Sequence, residues 1–169
     1  MGRVILITGG ERSGKSEEAE RRALSLSSIP VYMATARVLD DEMRQRVTLH
    51  QQRRGPQWTN IEDDLWLSRH DLTGRVVLVD CLTLWLTNFF CDLGDADKAL
   101  QEAKTEFDRL VAQDATFIVV TNEIGMGGIS ADPVQRRFTD IQGWLNQHVA
   151  RQADEVILMV SGIPVTIKK

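Results

Sequence analysis

Val4-Ile5-Leu6-Ile7-Thr8-Gly9-Gly10-Glu11-Arg12-Ser13-Gly14-Lys15-Ser16 decides the fold. From Gly9 to Ser16 it is a full G-x-x-x-x-G-K-[ST] phosphate-binding loop. The motif needs a buried strand before it and a helix after it, so that the loop wraps a phosphate chain and the helix N-terminus points at it. Val4 to Thr8 is apolar and β-branched, and Ser16 to Leu24 is rich in helix formers. Gly9 and Gly14 permit close backbone approach, and the N–H groups of residues 10 to 15 form an anion cradle of Gly10, Glu11, Arg12, Ser13, Gly14 and Lys15. Lys15 is expected to reach the β- and γ-phosphates, and the Ser16 hydroxyl to hold Mg²⁺.

Further apolar runs read as buried strands: Val31–Thr35, Val76–Asp80, Phe117–Thr121 and Val156–Val160. Amphipathic stripes predict helices over Lys98 to Gln113 and over Val134 to Val149. The alternation predicts an α/β fold with a mostly parallel sheet and helices on both faces. Val156 to Val160, then Ser161-Gly162, then Ile163 to Ile167 predicts a C-terminal antiparallel hairpin, with Pro164 placing its last strand at an edge. Residues 36–75 form a polar stretch between the second and third strands. It is expected to hold a helix ending before Gly55-Pro56 and to act as an insertion in one domain spanning 1–169.

At 169 residues, 43% hydrophobic and 26% charged, the chain has ordinary globular composition. A formal net charge of -4 argues against nucleic-acid binding through bulk charge. Cys81 and Cys91 have no metal or redox spacing and are expected as buried apolar residues in a reducing compartment. No signal peptide or bilayer-length apolar run is legible, so a cytoplasmic protein without membrane insertion is expected.

Asp80 closes an apolar strand, where an acidic residue supports Mg²⁺ behind a phosphate loop or simply ends a solvated strand. Thr121-Asn122-Glu123 closes the next strand and leads into Ile124-Gly125-Met126-Gly127-Gly128. Strand carboxyl ends face the ligand crevice, so these residues either approach the phosphates or form a turn. His50 stands among Arg44, Arg46, Arg53 and Arg54, with Arg46 and Arg54 each one turn away on a helix. Cations favour a neutral, nucleophilic imidazole and bind triphosphates. Spacing alone favours a surface histidine on a solvated helix. His70, His148 and the four tryptophans carry no such pattern.

Several segments occur together and in order: Ile7 to Ser16, Tyr32-Met33-Ala34-Thr35-Ala36, Asp40-Asp41-Glu42-Met43, His50, Val79 to Thr83, Val120 to Gly127 and Val160 to Val165. With these the chain resembles the bifunctional adenosylcobinamide kinase/adenosylcobinamide-phosphate guanylyltransferase family of cobalamin biosynthesis, over essentially its whole length. The resemblance implies a RecA-like phosphate-loop fold and a typical homotrimer. It implies phosphorylation of adenosylcobinamide by ATP or GTP with Mg²⁺. It then implies transfer of GMP from GTP to the product through a GMP-histidine at His50, with Lys15 as the other catalytic residue. The family's nucleotide contacts map onto Gly9 to Ser16, Ala34, Thr35, Ala36, Gln51, Gln52, Arg53, Arg54, Glu62 and Asp80, with Ser16 and Asp80 as metal ligands. The family often carries Glu where Asp80 stands here, so the resemblance leaves two roles open for Asp80, metal ligand or contact to the guanine edge. The competing readings are a kinase alone, or a phosphate-loop switch or ATPase working on a macromolecular partner.

Overall fold

In the computed structural model, which describes residues 1–169, Val4 to Thr8 lies in β1 (Arg3–Gly9), and the phosphate loop leads into α1 (Lys15–Leu26). There follow β2 (Val31–Ala34), α2 (Asp41–Arg53), β3 (Thr59–Glu62), a 3-10 turn at Leu67–Arg69 and β4 (Val76–Asp80). Then come α3 (Leu82–Leu93), α4 (Ala96–Val111), β5 (Thr116–Asn122), α5 (Pro133–Gln152), β6 (Glu155–Val160) and β7 (Ile163–Lys168). The sheet order is β3-β2-β4-β5-β1-β6-β7, parallel throughout except for the β6–β7 hairpin.

Strand alternation splits the core into two layers. Val4 and Leu6 face a large cluster built with Trp85, Phe107, Ile141 and Leu145 of α3, α4 and α5. Ile5 and Ile7 face a smaller one with Ala19 and Ala23 of α1 and with Trp58. Small residues on α1 let that helix lie close to the sheet, which brings its N-terminus over the ends of β1 and β4. β1 is central and pairs Gly9 with Asn122 on β5 and with Met159 on β6. The phosphate loop therefore rises from the middle of the sheet at its carboxyl edge.

The helix starts are chemically marked. Asp40 accepts from Met43 N–H at 2.7 Å, Asp95 from Lys98 N–H at 3.0 Å, and Asp132 from Val134 N–H at 2.9 Å ahead of Pro133. α2 has no buried residue; it is a polar helix standing over the sheet edge rather than part of the core. It stops at Arg54, which is extended, just before Gly55-Pro56.

The polar stretch 36–75 differs from the expectation. Besides its helix it contributes β3, which pairs parallel with β2 and forms the sheet's far edge. Thr59-Asn60-Ile61-Glu62 has one apolar residue and is mostly exposed, so it lacks the apolar signature of a covered strand. α3 is an unread element, and Cys91 on it is exposed, whereas Cys81 is buried as expected. Pro164 lies in the edge strand β7, opposite Met159.

Candidate nucleotide site

The carboxyl edge of the sheet opens into one cleft of about 800 Å³. Its floor is the phosphate loop and the start of α1. Its walls are α2, the ends of β2, β4 and β5, and the Ser161-Gly162 turn. That volume is within the range of small-molecule sites.

The loop geometry follows from its glycines. Gly14, at φ 95°, is the N-cap of α1 and lies in the left-handed region where a side chain would be strained. A Cβ on Gly9 would come within 2.6 Å of Ser13 Oγ and 2.9 Å of the Met159 carbonyl, so only glycine fits there. No side chain caps α1, which leaves its first N–H groups open toward an anion. Lys15 is buried against the loop, donating from Nζ to the Gly10 carbonyl at 2.5 Å. Burial pushes its ammonium below the usual lysine range, opposed by the negative charge of Glu11 and Asp80. An arriving phosphate supplies the counter-charge that this buried cation lacks. Glu18, one turn along, is occupied by Arg21 and Arg22 and faces away from that role.

Asp80 ends β4 opposite Ala34 and reaches the cleft. Its Oδ2 accepts from the Tyr32 hydroxyl at 2.5 Å. The following Cys81 is buried, and desolvation together with Asp80 pushes its thiol up to about 12, so it is not a nucleophile here. Asn122 closes β5 at the cleft; its N–H is bound by Thr83 Oγ1 at 3.1 Å. Glu123 N–H donates to the Gly9 carbonyl at 2.9 Å, tying the next loop to the phosphate loop. The Glu123 carboxylate then accepts from Gly125 and Met126 N–H, which makes the turn, while of Thr121, Asn122 and Glu123 only Asn122 lines the cleft.

α2 brings Arg46, His50, Gln51, Arg53 and Arg54 to the same cleft. The two adjacent arginines do different things. Arg53 is drawn to α1, to Glu20 at 2.8 Å and Glu17 at 3.8 Å. Arg54 lies flat over the Tyr32 ring, with its guanidinium carbon 3.4 Å from the centroid. Nε and Nη1 of Arg54 and Nδ1 of His50 are buried and hydrogen-bond no protein group. Buried polar groups normally find a partner, so these two guanidinium nitrogens and this ring nitrogen stand out among the side chains of the cleft wall.

The structure thus gathers Glu11, Arg12, Ser13, Gly14, Lys15, Ser16, Ala34, Ala36, His50, Gln51, Arg53, Arg54 and Asp80 around one cleft. Gly9, Gly10, Thr35, Gln52 and Glu62 do not line it. Thr35 is buried, its hydroxyl donating to the Cys81 carbonyl at 2.9 Å and accepting from Cys81 N–H at 3.0 Å. Gln52 and Glu62 are exposed. Sequence reasoning missed Tyr32 as a site residue. The signal was the strand period, since Tyr32 lies two residues before Ala34 and shares its face. It also missed the reach of the hairpin turn.

Ser16 and Asp80 line the cleft, and Ser16 Oγ and Asp80 Oδ1 make no protein hydrogen bond. Hard oxygen donors suit Mg²⁺, which typically takes one or two protein ligands and completes its shell with phosphate oxygens and water. The chain holds no cluster of three His, Cys, Asp or Glu side chains that would make an all-protein metal cage. The donor set therefore fits a metal that arrives with a triphosphate.

Comparison with known proteins agrees with this geometry. Solved structures of similar fold include the flagellar accessory protein FlaH of Methanocaldococcus jannaschii, at 15% identity, covering 99% of this chain and 78% of that one with a TM-score of 0.51. Another is an ATPase from the type III secretion system of pathogenic bacteria, at 11% identity, covering 98% and 57% with a TM-score of 0.56. At such identities the likeness concerns the phosphate-loop fold alone. In sequence, the chain is 39% identical to the bifunctional adenosylcobalamin biosynthesis protein CobP of Pseudomonas aeruginosa, across 96% of each chain. It is 40% identical to the bifunctional adenosylcobalamin biosynthesis protein CobU of Escherichia coli, across 98% of this chain and 99% of that one. The family described as cobinamide kinase / cobinamide phosphate guanyltransferase matches residues 5–167. The chain belongs to the cobinamide kinase / cobinamide phosphate guanyltransferase family.

Proposed function

We propose that this chain phosphorylates adenosylcobinamide from a nucleoside triphosphate and then transfers GMP from GTP to that phosphate, using His50 as the nucleophile. The observation that carries the reading is the joint cleft: a complete phosphate loop and a histidine–arginine helix face one cavity. A switch or motor ATPase needs the first and has no use for the second.

In the kinase step the acceptor hydroxyl oxygen bonds to the γ-phosphorus, and the bond to the β–γ bridging oxygen breaks. Lys15 and the loop N–H groups stabilise charge on the transferring group. Ser16 and Asp80 would hold Mg²⁺, which would supply positive charge to the triphosphate. In the second reaction the imidazole of His50 bonds to the α-phosphorus of GTP and pyrophosphate leaves. Arg54, with two buried and unpartnered donor atoms, takes the phosphate oxygens. An oxygen of adenosylcobinamide phosphate then displaces the imidazole, giving adenosylcobinamide-GDP and freeing His50. Incubation with adenosylcobinamide, ATP, GTP and Mg²⁺ followed by product identification tests the reading; phosphorylated corrinoid without the GDP product leaves a kinase alone.

The working form is a homotrimer. β7 is exposed along its whole length, with Ile163, Val165 and Ile167 uncovered and its outer backbone edge unpaired, which supports burial against another copy. Light scattering at micromolar concentration gives three times the 19.1 kDa chain mass on this reading and one chain mass against it. No helix is long and apolar enough to cross a membrane.

A further inference from the structure

Tyr32 stands where the two halves of the cleft meet. Its ring is buried, with Trp58 edge-on at 6.1 Å and 83°. Two functional groups are attached to it, on different parts of the side chain. The hydroxyl donates to Asp80 Oδ2 at 2.5 Å, while Asp80 lines the cleft and its Oδ1 is free of protein hydrogen bonds. The ring face carries the Arg54 guanidinium at 3.4 Å.

Arg54 has little else to hold it. Its Nη2 reaches Asn60 Oδ1 only at 3.4 Å, and Nε and Nη1 have no protein partner. It is a C-cap residue, and its N–H donates to the His50 carbonyl at 3.4 Å. The stack on Tyr32 is therefore what fixes the guanidinium plane on the wall that also carries His50. A planar fork reads phosphate oxygens only when its orientation is set in advance.

We propose that Tyr32 is a positioning residue shared by both reactions: its hydroxyl orients the Asp80 carboxylate toward the metal–triphosphate, and its ring orients Arg54 for the triphosphate that His50 attacks. This rests on the roles given above to Asp80 and His50. Tyr32 itself need touch no reacting atom. The two duties are chemically separable, because phenylalanine keeps the ring and loses the donor, whereas leucine loses both.

The test uses the full-length protein and two readouts. The first is Mn²⁺ affinity, by electron paramagnetic resonance, in the presence of a non-hydrolysable ATP analogue. Tyr32→Phe weakens Mn²⁺ binding about tenfold, as loss of a partner that orients a ligand does. That weakening disappears when Asp80→Asn is already present, because the hydroxyl acts through Asp80. The second readout is the initial rate of protein labelling by GTP carrying radiolabel at the α-phosphate. Tyr32→Leu labels about tenfold or more slowly than Tyr32→Phe. Wild-type Mn²⁺ affinity in Tyr32→Phe, or equal weakening in the Asp80→Asn background, overturns the Asp80 half. Equal labelling rates in Tyr32→Phe and Tyr32→Leu overturn the Arg54 half. The Mn²⁺ arm uses only the conservative variant and stands if the leucine variant does not fold. A wild type that takes no label overturns the reading of His50, while the Mn²⁺ titration still decides the Asp80 half.

Discussion

The N–H of Gly162 donates to the carbonyl of Ser13 at 2.9 Å. The turn of the C-terminal hairpin is thereby bonded to the phosphate loop, more than 140 residues away in sequence, and Gly162 Cα lies 3.3 Å from where a Cβ on Gly14 would be. The hairpin turn is thus part of the wall of the cleft as well as the end of the sheet.

Gly162 has φ 81°, a left-handed conformation that strains other residues, though open space surrounds the position of its missing Cβ. Gly162→Ala is expected to cost about 1–2 kcal/mol through backbone strain alone. For a chain of this length that lowers Tm by roughly 2–8 °C. Because the strained residue holds Ser13, affinity for an ATP analogue falls as well. Thermal melting with a nucleotide titration checks both; a lowered Tm with unchanged affinity would separate the turn from the loop.

Lys15→Ala removes the one cation that is buried in the phosphate loop. Corrinoid phosphorylation is expected to fall about 10²-fold or more, the scale of a lost transition-state charge partner. Steady-state kinetics at saturating ATP measures it. Phosphorylation near the wild-type rate would put the triphosphate elsewhere.

Much of this was readable before the structure. The phosphate loop with its strand and helix, the central parallel strands and the terminal hairpin all carry strong local signals: covered strands are continuous apolar runs, and the loop needs its glycines. β3 was not readable, because an edge strand such as Thr59-Asn60-Ile61-Glu62 is recruited by pairing with β2 and not by its own hydrophobicity. The roles of Arg53 and Arg54 were equally opaque. Adjacent identical residues are told apart only by what lies across from them, Glu20 for one and Tyr32 for the other. Thr35 shows the converse. A nucleotide-contact motif includes it, yet its side chain turns inward to brace the chain after β4.

Asp63 gives the fold a pH dependence. Burial disfavours its charge, but His70, the N–H groups of Leu65 and Trp66, and Arg69 outweigh that and hold its carboxyl below the usual range. A depressed carboxyl contributes stability that is present above its unfolded value, near pH 4, and is lost as pH falls through the folded value. Asp63→Asn is therefore expected to be less stable than wild type by about 1–3 kcal/mol at pH 7. The difference should shrink as pH falls below about 4. Urea unfolding across that range measures it; a difference independent of pH would contradict the assignment.

The central claim is that one cleft serves both reactions and that His50 carries GMP from GTP to the corrinoid phosphate. The direct measurement is incubation with GTP radiolabelled at the α-phosphate, with the protein then assayed for acid-labile, base-stable label as expected of a phosphoramidate. The wild type should be labelled with release of pyrophosphate, and His50→Ala and His50→Asn should take no label while still phosphorylating the corrinoid. Label that persists in His50→Ala, or a wild type that phosphorylates corrinoid and takes none, would contradict the account.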